Sequence, residues 1–186
     1  MCGRFTLTIE LSTLIKVFQA HLQNENYNYS RRYNIAPSQN IPVVILAENQ
    51  REISMMRWGL IPHWAKDASI GSKLINARAE TIGQKSAFKY SFLHRRCLIP
   101  ADGFYEWRKQ SGGKTPIRIT LPGKEVFAFA GIWASGVPRK VMMSIRAVSS
   151  LPGRMTLYGK FMTECLLYYP KKAITELGWN QMNPAV

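Results

Sequence analysis

Acidic residues are scarce in this chain. Eleven Asp and Glu stand against 25 Lys and Arg over 186 residues, a formal net charge of +14. Residues 1–100 hold six acids and 13 bases, and residues 101–186 hold five and 12. The imbalance is thus not confined to a basic tail. A globular domain so charged points to a polyanionic partner, nucleic acid first, with a solvated basic surface as the plain alternative. Cysteine is also sparse. Cys2, Cys97 and Cys165 have no metal-ligand spacing and form no disulfide framework, so no metal and no cofactor are expected. Cys97 and Cys165 read as buried small hydrophobes. Long apolar runs are missing too. Nothing approaches the roughly 20 residues of a membrane span. No signal-peptide pattern precedes Cys2, so the expectation is a cytoplasmic, nucleoid-associated monomer without a membrane partner. What remains is ordinary globular material, 46% hydrophobic and 19% charged, with one domain's length, no repeats and no linker.

Against that background the first residues stand out. Met1 precedes Cys2, and initiator methionine is commonly removed before a small residue. The new N-terminus would carry an α-amine and a thiol on adjacent carbons. The amine titrates at about 7.7–8.0 and the thiol near 8.5, so both nucleophilic forms are accessible near neutral pH. Such a pair condenses with an aldehyde to a Schiff base and then closes to a thiazolidine. It can also attack an acyl carbon, with its own amine as base. Taken alone, Cys2 is equally a small residue that happens to stand second.

Local patterning predicts a strand-rich α+β domain. Residues 4–8 read as a strand. Leu11, Leu14, Ile15, Phe18 and Leu22 recur at helical spacing and predict a helix over 10–22. Residues 41–47 form a buried strand and 52–58 its hairpin partner, with Ile53, Met55 and Arg57 on one face. Residues 59–84 form a long Gly-, Pro- and Ser-rich excursion of the kind that carries function. Further strands are predicted at 95–99, 103–109, 116–121 and 125–133, separated by Pro100-Ala101-Asp102, Ser111-Gly112-Gly113 and Pro122-Gly123.

Three segments set polar groups in apolar surroundings. In Arg57-Trp58-Gly59-Leu60-Ile61-Pro62-His63-Trp64, the tryptophans fit either core anchors or a platform for stacking unpaired bases. In Ile75-Asn76-Ala77-Arg78-Ala79-Glu80-Thr81, Asn76 can donate and accept. Arg78 can clamp a phosphate or pair with Glu80. In Pro100-Ala101-Asp102-Gly103-Phe104-Tyr105-Glu106-Trp107, Glu106 lies on an aromatic strand. Desolvation there would suit it to proton transfer, unless an arginine pairs with it.

Together with Met1-Cys2-Gly3-Arg4-Phe5, Tyr33-Asn34-Ile35-Ala36-Pro37 and Arg96-Cys97-Leu98-Ile99, these segments resemble the SOS response-associated peptidase (SRAP) family, in order, from residue 1 to about Trp133. The resemblance implies a mostly β pseudo-barrel with a few short helices that binds single-stranded DNA. It implies that Cys2, freed by autoprocessing removal of Met1, forms a thiazolidine crosslink with the ring-opened aldehyde of an abasic site, shielding the lesion during the DNA damage response. Asn76 would orient the sugar or the Cys2 amine, and Glu106 would shuttle protons, with a lyase-like side activity. Arg4 and Arg78 would hold phosphates, Trp58 and Pro37 would shape a wedge, and Asn34 and Arg57 would complete the DNA-binding set. A thiol peptidase acting on other proteins and an inactive nucleic-acid-binding remnant are the alternatives.

The last third departs from the family. Members continue past Trp133 with a strand pair and an Ile-His-x-Arg-Met-Pro motif, whose histidine also transfers protons. Here His21, His63 and His94 stand in other contexts. Shifted codons can be built from the third base of one residue and the first two of the next. Over 160–166 they permit Ile-His-Asp-Arg-Met-Pro, and Met162-Thr163 forces the Asp. Tyr168-Tyr169 forces a following Leu. The reading is a family-like domain at 1–134 and an out-of-frame, poorly ordered tail at 135–186.

Overall fold

A computed structural model describes residues 3–24, 27–62, 64–78, 81–121, 123, 125–135 and 140–145. Over these the chain is α+β, with eleven strands, two α-helices and one short 3-10 helix, Ala68–Ser72. Strand β1 is Phe5–Leu7, and helix α1 is Leu11–Phe18. Leu14 and Phe18, one turn apart, bury the inner stripe of α1. The helix stops four residues short of the predicted end. Gln19 turns into the left-handed region (φ 49°), and its N–H caps the Ile15 and Lys16 carbonyls. His21–Leu22 then form β2 and run parallel to the hairpin strand at Glu52 and Ile53.

The predicted hairpin is present. β4 (Asn40–Ala47) and β5 (Gln50–Trp58) pair antiparallel from Ala47↔Gln50 to Asn40↔Arg57. Glu48 and Asn49 between them both have positive φ, 48° and 62°, as a two-residue hairpin turn of matching twist requires. On β5, Ser54, Met56 and Trp58 are buried, while Met55 and Arg57 lie on the less buried face. Ile53 shares the face of Met55 and Arg57 and is buried where β2 pairs beside it.

The strands form two sheets. β3 (Arg32–Ile35), β1, β8 (Gly103–Gln110) and β9 (Gly113–Ile119) make one, in that order. Gly113, read in the sequence as turn, is the first residue of β9 and pairs with Gln110. The other sheet runs β2, β5, β4, β7 (Arg96–Ala101), β10 (Phe127–Ser135), β11 (Lys140–Ile145) and β6 (Asn76–Ala77). β11 also pairs in parallel with β5, so β5, β4, β7, β10 and β11 close on themselves. Closure removes exposed edges. Edge-to-face aromatic contacts join the layers. Phe5 meets Phe129 at 6.0 Å and Trp58 at 5.3 Å, and Phe104 meets Phe129 at 5.9 Å. Cys97 is buried, as expected of a small hydrophobe.

Among the elements that went unpredicted are β3 and helix α2 (Ser86–His94), along with the short β2, β6, β11 and the 3-10 helix. The sequence also sets residues 135–186 apart as poorly ordered. The strand β11 extends the sheet six residues into that segment, and 146–186 lie outside the described residues.

The excursion after β5 folds back at one tight approach. Gly59 has φ 138°, and a Cβ there would stand 2.4 Å from the Gly71 carbonyl oxygen. Gly59→Ala therefore brings both a backbone collision and an unfavourable φ. It should destabilise by about 2–3 kcal/mol and lower the melting temperature by roughly 5–10 °C. Thermal melts followed by circular dichroism check this.

Candidate functional site

The register of β1 on β8 builds one half of the site. Phe5 stands opposite Phe104 and Thr6 opposite Gly103, and the Tyr105 N–H donates to the Arg4 carbonyl at 2.9 Å. Continued one residue beyond that last contact, the register would bring Gly3 across from Glu106. Cys2 itself lies outside the described residues. Glu106 is partly exposed, beside exposed Trp107. On the other flank of β1, the Arg4 guanidinium donates to the Asn34 side-chain carbonyl at 2.9 Å. Tyr33, next to Asn34, is 66% exposed, and its carbonyl accepts from the Tyr105 hydroxyl at 3.1 Å. Tyr33 and Trp107 thus add two exposed rings beside this half. Sequence reasoning quoted both only as motif letters. A large aromatic on an edge-facing strand position was the available signal.

The other half gathers at the end of β5. Ala36-Pro37-Ser38-Gln39 is a turn closed by the Gln39 N–H on the Ala36 carbonyl (3.4 Å), with Ser38 at φ 70°. Pro37 at its second position presets φ. The Ser38 N–H donates to the Trp58 carbonyl and the Trp58 N–H to the Gln39 carbonyl, both at 2.8 Å. Beyond the excursion, Asn76 pairs in parallel with Ser144 of β11 and is half-buried. Arg78 comes two residues later, exposed. Arg57 lies on the outer face of β5, opposite Asn40 on one side and Val141 on the other.

Trp58 corrects the stacking alternative. It is 2% exposed, packs edge-on against Phe5, and donates its indole N–H to the Ile75 carbonyl at 2.9 Å. No base can lie on a ring so enclosed. Trp58 instead fixes the Pro37 turn on one side and the backbone entering Asn76 on the other. The Phe5–Trp58 contact joins the two halves of the site. The exposed tryptophan of that segment is Trp64. Trp58→Phe keeps an aromatic ring but removes the indole N–H and part of the packed volume, orphaning the Ile75 carbonyl. We expect a loss of about 1–3 kcal/mol, with hydrogen exchange rising first at residues 74–77. Amide exchange by mass spectrometry checks the location.

A residue absent from the sequence-based set organises β1. Asp102 is 6% exposed, between β7 and β8. Its carboxylate accepts from the Thr6 hydroxyl, the Thr8 hydroxyl and the Thr8 N–H, the last at 2.6 Å. Arg118 of β9 pairs with it at 3.2 Å and also donates to Thr6. The Asp102 N–H donates to the Thr6 carbonyl at 3.0 Å. Burial works to raise the carboxyl's pKa, but the Thr6 and Thr8 hydrogen bonds and the Arg118 charge together outweigh it and hold it below the ordinary value. A Cβ on Gly103 would meet Arg118 Nε at 2.8 Å and Thr6 Oγ1 at 2.9 Å, so glycine leaves the room this network occupies. Among the described residues, no cluster of His, Cys, Asp and Glu could hold a metal, and no helix is long and apolar enough to cross a membrane.

Comparison with known proteins adds relatives to this geometry. A family model described as SOS response associated peptidase (SRAP) matches residues 1–149. Abasic site processing protein YoqW of Bacillus subtilis (strain 168) is 46% identical over 134 residues, covering 72% of this chain and 60% of that protein. Abasic site processing protein YoaM of the same organism is 48% identical over 134 residues, 72% of this chain and 59% of its own length. Abasic site processing protein HMCES of Gallus gallus is 32% identical over 143 residues, 66% of this chain and 43% of that protein. The chain therefore spans about three-fifths of the length of the Bacillus proteins it matches. Among solved structures, a protein from Bacteroides thetaiotaomicron shares the fold with TM-score 0.70 at 21% identity, over 77% of this chain and 67% of that one.

Proposed function

Starting from a chain that belongs to the SOS response associated peptidase (SRAP) family, we propose that it processes abasic sites in single-stranded DNA by covalent capture at Cys2. The observation that carries this reading is the β1–β8 register, which runs to the Arg4–Tyr105 contact and, continued one residue, would bring Gly3, the neighbour of Cys2, toward Glu106. Relatives named as abasic site processing proteins support the substrate class. The net charge of +14 suits a polyanion.

The chemistry balances without a further reagent. An abasic sugar in its open form carries an aldehyde at C1′. The Cys2 α-amine adds to C1′, giving a carbinolamine. Glu106 donates a proton to the departing hydroxyl, and water leaves with formation of the imine. The Cys2 thiolate then adds to the same carbon, and the imine nitrogen takes up a proton. One C–N and one C–S bond form for one water lost. Glu106 ends ready to be recharged by solvent, since it is partly exposed. Arg4, held in place by Asn34, and exposed Arg78 bind phosphates flanking the sugar. Asn76 orients the sugar or the amine, Arg57 adds positive charge, and the Pro37 turn forms the wedge at which the unpaired strand bends. Met1 must be removed first, because the ring needs a free amine on the same residue as the thiol.

Residues 135–186 we read as translated out of frame, a reading that has to accommodate β11, which pairs with β5 and β6 inside that stretch, and a family model that runs to residue 149. Identity to the Bacillus relatives covers 134 residues and leaves about two-fifths of their length unmatched. The chain then lacks the family's second proton-transfer histidine, and capture proceeds on Cys2, Asn76 and Glu106 alone. Sequencing the gene tests the frame directly, since codons at 160–166 either spell the shifted motif or do not. The function is tested by incubating the purified chain with a single-stranded oligonucleotide bearing one abasic site. After denaturation a slower-migrating protein–DNA band is expected; its absence at every pH from 6 to 8 would overturn the reading.

A further inference from the structure

A cavity of about 740 Å³ opens beside the Pro37 turn, and none of the roles assigned to the capture site uses it. Tyr27, Asn28, Tyr29, Arg32, Gln39 and Asn40 are among its lining residues, and no carboxylate is among the described ones. Its position is set by the chain. Gln39 and Asn40 continue directly from Pro37. Arg32 stands two residues along β3 from Asn34, the partner of Arg4. Two residues of strand span about 7 Å, a step comparable to one nucleotide of extended single strand.

The lining is fixed in place. Arg32 donates to the Asn40 carbonyl at 2.5 Å and to Gln39 Oε1 at 3.4 Å. Gln39 Oε1 also accepts from the Ala36 N–H at 3.2 Å. The Tyr29 hydroxyl donates to the Ile9 carbonyl. Burial raises the Tyr29 phenol to about 12 and pushes Tyr27 further up, so both stay neutral at physiological pH. The Tyr27 oxygen is buried and has no hydrogen-bond partner among the described residues. A single guanidinium already bound to carbonyl oxygens makes a poor phosphate clamp. Carboxamides that both donate and accept match the edges of nucleobases, and phenol rings offer stacking faces.

We propose that this cavity receives an unpaired base of the captured DNA strand, one or two nucleotides from the sugar held beside Arg4 and Asn34. The inference rests on the reading of the chain as a binder of single-stranded abasic DNA. It assigns that site a contact with an intact neighbouring base.

The test uses Cys2→Ser protein, so that binding stays reversible, and oligonucleotides with a tetrahydrofuran lesion analogue. A second tetrahydrofuran replaces each flanking nucleoside in turn, and affinity is read by fluorescence anisotropy. Loss of one particular flanking base should weaken binding about fivefold or more. Asn28→Ala should weaken binding to the strand carrying that base but leave binding to the strand lacking it unchanged. Asn28 is exposed, so the variant should melt like its parent. If every flanking base can be removed without effect, or if Asn28→Ala binds both strands as its parent does, the cavity proposal is overturned while strand binding stands. If the Cys2→Ser parent binds no single strand at all, both readings fall.

Discussion

Protein carrying Cys2→Ala should leave abasic single-stranded DNA free of covalent protein after denaturation, while wild type should retain a large fraction as adduct. The effect is all-or-none because alanine removes the sulfur that closes the ring. An amine alone gives an imine, and water reverses it. Two companion variants separate the contributions. Cys2→Ser keeps the amine and an oxygen nucleophile of far higher pKa, so its adduct should survive denaturation only after borohydride reduction of the imine. One extra residue ahead of Cys2 keeps the thiol but moves the amine to another residue, and should also abolish the stable adduct. Thiol reactivity alone would tolerate that extension, so the pair tests the aminothiol rather than the cysteine.

Loss of the Asp102 carboxylate is the second large effect. Asp102→Asn removes the charge that organises Thr6, Thr8 and Arg118, and it turns one acceptor into a donor facing existing donors. The carboxylate is buried but Arg118 is 42% exposed, so the main loss is the carboxylate's hydrogen bonds to Thr6 and Thr8, about 1–3 kcal/mol. For a chain of this size the melting temperature should fall by roughly 2–12 °C. The pH dependence has a definite sign. The folded carboxyl titrates below its unfolded value. Its contribution is therefore present above the unfolded pKa, near about 3.9, and is lost as pH falls through the lower folded value. Urea midpoints should drop for wild type on acidification through that window and change less for Asp102→Asn. The network also holds β1 in its register with β8, the strand of Glu106. Thr6→Val, isosteric but without the hydroxyl, should slow adduct formation more than it weakens strand affinity, and Thr6→Ser should restore the rate.

Those two effects differ in how visible they were in the sequence. Cys2, Asn76 and Glu106 could be proposed from the sequence because each is a reactive or polar group in a short recognisable segment. Asp102 was quoted within its segment but read as turn material, because its partners Thr6 and Thr8 lie 96 and 94 residues away. The β4–β5 hairpin was legible from two apolar runs close together. β3 was not, since Arg32-Tyr33-Asn34-Ile35 has one buried residue and takes its strand form from pairing with β1. Helix α2 buries only Phe88 and Ser91 and leaves Tyr90 and Leu93 exposed, so it carries almost no apolar periodicity. Trp58 was ambiguous on sequence, because an enclosed indole and a stacking platform have the same letters around them. Only the contact with Phe5 and the bond to Ile75 decide between them.

The central claim is one carbon bonded to both the nitrogen and the sulfur of Cys2. Trypsin and nuclease digestion of the purified adduct, followed by mass spectrometry, reads this directly. The account predicts that the sugar remnant resides on the peptide Cys2-Gly3-Arg4, at the summed mass less one water, without prior reduction and with its thiol unreactive to alkylation. A remnant on a lysine-containing peptide, or one recovered only after borohydride, would contradict it.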